Sequence, residues 1–209
     1  HLCHVPSFLA FNSVYGLSPY PVGYAKPDYS MANCIVIWGA NPSRGTRVSE
    51  ATQRIPRARK RGARLVVIDP VCTPLAQSAD LWLQIAPGTD FALAAALLHL
   101  VIHRGGFDSD FVAHWTIGFD ALKESVRNCT PKWASGVSGV PTEQIETLAR
   151  WYAEKGPSLI DTGNGLDQNV NVFQTVRVIA MLISVCGYLD VPGGNCFFPF
   201  PKLKPYPGI

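Results

Sequence analysis

The sequence predicts a doubly wound α/β fold, a mainly parallel sheet with helices on both faces. Two observations carry this reading. Short apolar, β-branched runs recur along the chain with helix-like segments between them, the pattern of strands joined by crossover helices. The first clear run, Cys34-Ile35-Val36-Ile37-Trp38, ends abruptly in Gly39-Ala40-Asn41-Pro42 before a polar, helix-permissive segment. In an open α/β sheet a nucleotide's phosphates sit at such a loop, where free backbone N–H groups and the positive end of a helix dipole favour an anion.

Residues 1–30 are rich in Pro, Gly, Tyr and Ser and read as an irregular arm with one short helix at Phe8–Tyr15. The regular domain occupies residues 31–190. Strand Cys34–Gly39 leads into a helix at about Arg47–Arg61, stopped by Gly62 and expected to kink or split at Pro56. Strand Arg64–Ile68 closes in the turn Asp69-Pro70. A third strand, Leu81–Ile85, ends in Pro87-Gly88-Thr89-Asp90, and Thr89 or Asp90 caps the apolar helix Phe91–His103. Residues 107–155 read as helical, with short candidates at Asp108–His114 and Phe119–Arg127. The best helix opens at Pro141-Thr142 and carries Ile145, Leu148, Ala149 and Tyr152 on one stripe. Strand Ser158–Thr162 then ends in Gly163-Asn164-Gly165, and a long apolar helix covers about Val172–Cys186. Residues 191–209 read as an extended tail leading to a domain outside the chain.

Composition narrows the function classes. The 209 residues are 47% hydrophobic and 16% charged, which describes a well-buried globular domain, and a net charge of +3 gives no argument for nucleic acid. The longest nearly apolar runs, Phe91–Ile102 and Val178–Leu189, fall short of the ~20 residues that cross a bilayer. Six cysteines at positions 3, 34, 72, 129, 186 and 196 contain no CxxC pair, so neither structural zinc nor a disulfide framework is expected. This usage favours a reducing compartment, and the cytoplasm over the periplasm, without fixing the localisation. A chain that opens on His1 and closes on Gly208-Ile209 reads as a piece of a longer protein.

Several positions carry two readings each. Gly39-Ala40-Asn41-Pro42 is a phosphate loop or ordinary turn chemistry. Asp69 binds a ribose hydroxyl or caps its own turn, and it stands further from the glycine loop than the usual ~20 residues. Asp90, beside Gly88 and Thr89, either accepts two hydrogen bonds from the N1–H and N2–H₂ edge of guanine or caps its helix. Gly163-Asn164-Gly165 with Gln168 is a plain turn or a second loop facing the same crevice. Cys3-His4 stands out from the scattered cysteines as a possible metal-ligand pair. The run Arg54, Arg57, Arg59, Lys60, Arg61 and Arg64 reads as a solvated helix end.

Taken in order, these pieces resemble the molybdenum/tungsten bis-pterin guanine dinucleotide oxidoreductases. That family includes formate dehydrogenases, thiosulfate and polysulfide reductases, dimethyl sulfoxide reductases and acetylene hydratase. The carriers are Cys34-Ile-Val-Ile-Trp-Gly-Ala-Asn-Pro42, Arg64-Leu-Val-Val-Ile-Asp-Pro70 with Thr73, Ala79-Asp80-Leu-Trp-Leu83 and Pro87-Gly-Thr-Asp90. They continue through Gly118-Phe-Asp120, Thr130-Pro131, Val137-Ser-Gly-Val140, Gly163-Asn-Gly165 and Gly187-Tyr-Leu-Asp-Val-Pro-Gly-Gly194. Each is soft alone, whereas the ordered succession is specific.

The resemblance implies roles. Leu2-Cys3-His4-Val5-Pro6-Ser7 matches the segment that supplies the protein ligand to the metal, with Val5 where Gly is usual. Cys3 would therefore bind the metal as a thiolate suited to a soft, sulfur-rich centre, and His4 would carry protons. Gly39, Ala40, Asn41, Pro42 and Thr46 would line one pyrophosphate, Asp69 and Thr73 its ribose, and Gly88, Thr89 and Asp90 its guanine. Gly163, Asn164, Gly165 and Gln168 would approach the pterin or the substrate funnel. The implied cofactor is bis(molybdopterin guanine dinucleotide) with Mo or W. The implied reaction moves an oxygen atom or hydride on a small substrate while the metal cycles between +6 and +4. An iron–sulfur cluster would belong to a preceding segment, and an iron–sulfur electron-transfer subunit is an implied partner. Two departures matter. Thr46-Arg47 stands where His-Pro is frequent, and Gly193–Pro199 has no arginine, which argues against formate oxidation. A non-redox hydratase and a nucleotide-binding module without metal chemistry remain the alternatives.

Overall fold

In the computed structural model, which describes residues 4–16, 25–42, 51–154 and 156–197, the chain opens with helix α1 (Val5–Tyr15) and a short strand β1 (Lys26–Pro27). It then enters the main sheet at β2 (Cys34–Trp38), all five of whose residues are buried. That is the pattern of a parallel strand covered on both faces. Helix α2 (Ala51–Lys60) buries Ala51, Ile55 and Ala58 on one stripe and runs through Pro56 without being split. The expected start at Arg47 lies outside the described residues. Strand β3 (Arg64–Ile68) follows, then α3 (Pro74–Ser78), a one-turn helix the sequence reading did not contain. Strand β4 (Leu81–Leu83) is two residues shorter than expected, because only Val66 to Ile68 of β3 are available to pair with it.

Helix α4 (Asp90–His103) starts one residue early and is buried along nearly its whole length. Next come α5 (Ser109–Trp115), α6 (Phe119–Ser125), α7 (Pro131–Ser138) and α8 (Thr142–Glu154). Helix α7 was also missed, although Thr130 caps it through Oγ1 with Pro131 in the first turn. Strand β5 (Ser158–Thr162), α9 (Asn164–Asp167), α10 (Val172–Val185) and β6 (Asn195–Cys196) complete the order.

The main sheet runs β4-β3-β2-β5, and every pairing in it is parallel. The chain steps outward from β2 to β3 to β4, crosses back over the sheet, and lays β5 on the other side of β2. The direction of winding therefore reverses between β2 and β5, where doubly wound folds open a crevice beyond the strand ends.

Alternation along the strands divides two cores. Val36, Trp38, Val66, Ile68, Leu83 and Ile160 face a large one built with α1, α4, α8 and α10. Ile35, Ile37, Leu65, Val67 and Leu159 face a smaller one with Ile55 and Ala58 of α2 and Ala76 of α3. Helices thus cover both faces, the doubly wound arrangement expected. The arm is more ordered than its composition implies: α1 packs along α10, and β1 pairs antiparallel with β6, so arm and tail meet. Buried Asn195 pairs with the outer edge of β5, donating from Nδ2 to the Ile160 carbonyl (2.8 Å) and accepting from the Ile160 N–H (3.1 Å). Among the described residues no helix is long and apolar enough to cross a membrane.

Candidate functional site

At the reversal point two strand-end loops touch backbone to backbone. Gly163 N–H donates to the Trp38 carbonyl (2.9 Å) and Gly165 N–H to the Gly39 carbonyl (3.0 Å). A Cβ on Gly163 would lie 2.6 Å from Ala40 Cα, and one on Gly165 would lie 2.8 Å from the Gly39 oxygen. Gly39 has φ +59°, a left-handed conformation that favours glycine. The glycines of both motifs are thus needed for this contact, and they weld the β2 and β5 loops into one rim. Asn169 extends it: Nδ2 donates to the Gly165 carbonyl (2.7 Å), and Oδ1 faces Gly88.

Asp90 lies on the same rim at the first turn of α4 and is only 8% exposed. Its Oδ1 accepts from Trp38 Nε1 at 2.8 Å. Burial pushes its pKa up, against the opposing pull of the Trp38 donor and the backbone N–H groups of Asp90 and Gly88. Neither Thr89 nor Asp90 makes the expected side-chain cap. The Thr89 hydroxyl instead donates to the Ala86 carbonyl (2.7 Å), closing its own turn.

The arm is pinned to the rim by one carboxylate. Asp167 Oδ1, at the end of α9, accepts from both the Ser7 hydroxyl (2.6 Å) and the Ser7 N–H (3.2 Å), and both residues are buried. This tie holds the start of α1 against the β5 loop. His4, the residue before that helix, is half-buried with φ +66°, and its carbonyl accepts from Phe8 N–H. Cys3 and Thr46 lie outside the described residues.

The β3 side of the rim is different. Asp69 Oδ1 accepts from Val71 N–H (2.8 Å), and Thr73 Oγ1 accepts from Ala76 N–H (3.1 Å) as the cap of α3. Asn41 is half-buried and Pro42 buried, while Asn164 and Gln168 stand exposed after β5. Cys34 and Cys186 are core thiols, and burial raises Cys34 to about 12. Among the described residues no three His, Cys, Asp or Glu side chains cluster as metal ligands.

The structure therefore brings Gly39, Ala40, Gly163, Gly165, Gly88 and Asp90 to one rim, with His4 on the arm tied beside it. It spreads Asp69 and Thr73 along the neighbouring loop. Sequence reasoning missed Ser7, Asp167 and Trp38. A tryptophan ending a buried strand is a readable hint, since a buried indole N–H needs an acceptor.

An α/β domain with a glycine-built rim at its strand reversal and a buried acid beside it belongs to the nucleotide-binding class of doubly wound folds. The model of the molybdopterin oxidoreductase family matches residues 12–199, and the chain belongs to that family. It is 37% identical over 160 residues to the probable oxidoreductase YoaE of Bacillus subtilis, covering 76% of this chain and 23% of the relative. It is 32% identical over 166 residues to the F420-dependent formate dehydrogenase 1 subunit alpha of Methanococcus maripaludis, covering 79% of this chain and 24% of that one. Among solved structures, acetylene hydratase from Pelobacter acetylenicus superposes with a TM-score of 0.81 at 26% identity, over 89% of this chain and 25% of its own. The chain thus spans about a quarter of the relatives it matches. Membership implies a pterin cofactor carrying molybdenum or tungsten. The chemistry of the rim fits such a group at Asp90, which has a second carboxylate oxygen that no side-chain donor reaches among the described residues, beside the close-packed glycine backbones of the two loops.

Proposed function

We propose that the complete protein is the catalytic subunit of a molybdenum- or tungsten-dependent oxidoreductase, and that this chain holds one half of a bis-pterin guanine dinucleotide. The observation that carries the reading is the rim itself, two close-packed strand-end loops with a buried carboxylate beside them at the strand reversal of a family member. When bound, the cofactor supplies oxygen-atom or hydride transfer and two-electron redox capacity, chemistry no side chain here possesses.

The chain's own part is binding, orientation and proton handling. Gly39, Ala40, Asn41, Pro42 and Thr46 line a pyrophosphate. Pro42 has no donor and the Gly39 N–H already bonds the Ile68 carbonyl, which leaves Ala40, Asn41 and Thr46 to donate. Asp69 and Thr73 stand beside the ribose, and Gly88, Thr89 and Asp90 beside the guanine. Gly163, Asn164, Gly165 and Gln168 border the pterin and the path of a small substrate. Cys3 ligates the metal, and His4 next to it carries protons at an imidazole nitrogen. The Ser7–Asp167 bond, which ties the start of α1 to the β5 loop, supports this reading for His4. Iron–sulfur clusters held in a preceding segment or a partner subunit would supply the route for electrons.

A non-redox hydratase is the second reading, favoured by the likeness to acetylene hydratase. Elemental mass spectrometry for molybdenum and tungsten on the complete protein tests the first, with about one metal per chain expected. No metal, from a host that makes the pterin cofactor, would overturn it. A screen of small substrates with redox dyes separates oxidoreductase from hydratase.

A further inference from the structure

Asp90 is an unusual carboxylate. It is 8% exposed, and it is absent from the ion pairs found among the described residues. An acid so placed costs folding free energy unless its lone pairs are well used. One oxygen is: Oδ1 takes the Trp38 indole N–H at 2.8 Å. The other, Oδ2, takes no side-chain hydrogen bond among the described residues, and the backbone N–H groups of Gly88 and Asp90 lie against the carboxylate.

Trp38 is placed to control that oxygen. It is the last residue of β2, fully buried, and locked in register between Ile68 of β3 and Thr162 of β5. The sheet therefore fixes the indole, and the indole pins Oδ1 from a position 52 residues away in the chain. A carboxylate group rotates readily about its terminal torsion. Anchoring one oxygen fixes the plane of the group, and each oxygen keeps a lone pair for an incoming donor. A planar pair of acceptors held this way matches the N1–H and N2–H₂ edge of a guanine.

We infer that Trp38 is a positioning residue that sets the purine selectivity of this crevice by orienting Asp90. This inference rests on the reading of Asp90 as the guanine acceptor. A purely structural alternative, in which Asp90 merely satisfies a buried indole, predicts a loss of stability on changing Trp38 with no change in nucleotide preference.

The test uses the complete protein prepared without cofactor and titrated calorimetrically with GDP and, separately, IDP, which lacks the 2-amino group. The unaltered protein binds GDP about tenfold or more tighter than IDP, the worth of one hydrogen bond to a charged group. Asp90→Asn abolishes that ratio. Trp38→Phe brings it down to about threefold or less while IDP affinity changes little. A Trp38→Phe protein that keeps the full ratio overturns the inference and leaves the guanine reading standing. An unaltered protein with no preference, unmoved by Asp90→Asn, overturns the guanine reading and this inference with it. Melting curves run in parallel. If Trp38→Phe does not fold, benzothienylalanine at position 38 keeps the ring shape and removes only the N–H, and the same two ratios decide.

Discussion

The two halves of the rim hold their polar groups in opposite ways. On the β2–β5 side the bonds span the chain: Trp38 to Asp90, Ser7 to Asp167, and the glycine contacts between Gly39 and Gly163–Gly165. On the β3 side Asp69 and Thr73 reach only two and three residues onward, to Val71 and Ala76. The first half is an assembly that exists only when the whole domain is folded. The second is a turn and a cap whose side-chain bonds are local, although the turn's backbone is tied to β4, where Trp82 Nε1 donates to the Asp69 carbonyl (2.9 Å). Polar groups fixed by distant elements stay put when a ligand arrives, whereas locally capped ones must exchange a backbone partner for a ligand.

Mutations can break or sharpen this contrast. The largest effect is expected from Gly163→Ala, whose new Cβ would meet the Ala40 backbone at 2.6 Å and prise the loops apart. It should cost about 3 kcal/mol by denaturant unfolding of the complete protein, at the upper end for overpacking. A cost below about 0.5 kcal/mol would show that the loops are not welded. Asp167→Ala strands two buried donors of Ser7 and should cost about 2 kcal/mol. Faster amide exchange over Val5–Tyr15 is the specific signature, because α1 loses its tie. Thr73→Ala removes one helix cap, about 1 kcal/mol, with no change in exchange at α1.

Asp90→Asn is the smallest in size and has the opposite sign. The folded protein holds the Asp90 proton more tightly than the unfolded chain does, since burial raises its pKa. Stability contributed by this group therefore falls as pH rises from the ordinary carboxylate range through the raised value. Asn keeps an acceptor for Trp38 and carries no charge. The variant should melt roughly 1–3 °C higher at neutral pH, and the difference should vanish at pH values below the ordinary carboxylate range. A variant that melts lower at neutral pH would show that the charge is stabilised in place.

How much of this was legible in sequence follows from the same contrast. Strands β2, β3 and β5 were readable because each is a β-branched run bounded by turn residues, and α8 and α10 because their apolar stripes are long enough to show a period. Helices α3 and α7 were not, being too short for periodicity, although Thr73-Pro74 and Thr130-Pro131 are both cap-and-first-turn signals. The glycines, Asp69 and Asp90 are candidates from their places at strand ends, whereas Thr73 enters only through the family resemblance. The bonds that organise the rim were invisible, since nothing local links Trp38 to Asp90 or Ser7 to Asp167. The order β4-β3-β2-β5, which decides which loops meet, is likewise a property of the whole chain.

Asn195 has a consequence beyond its own two bonds. Strand β5 ends the main sheet, and an uncovered terminal strand is a template on which another molecule's strand can grow. The Asn195 amide occupies the N–H and C=O of Ile160 at the middle of that margin, presenting the donor and acceptor a foreign backbone would bring. A single side chain thus acts as a counterfeit neighbour, closing the fold at that margin without a fifth strand.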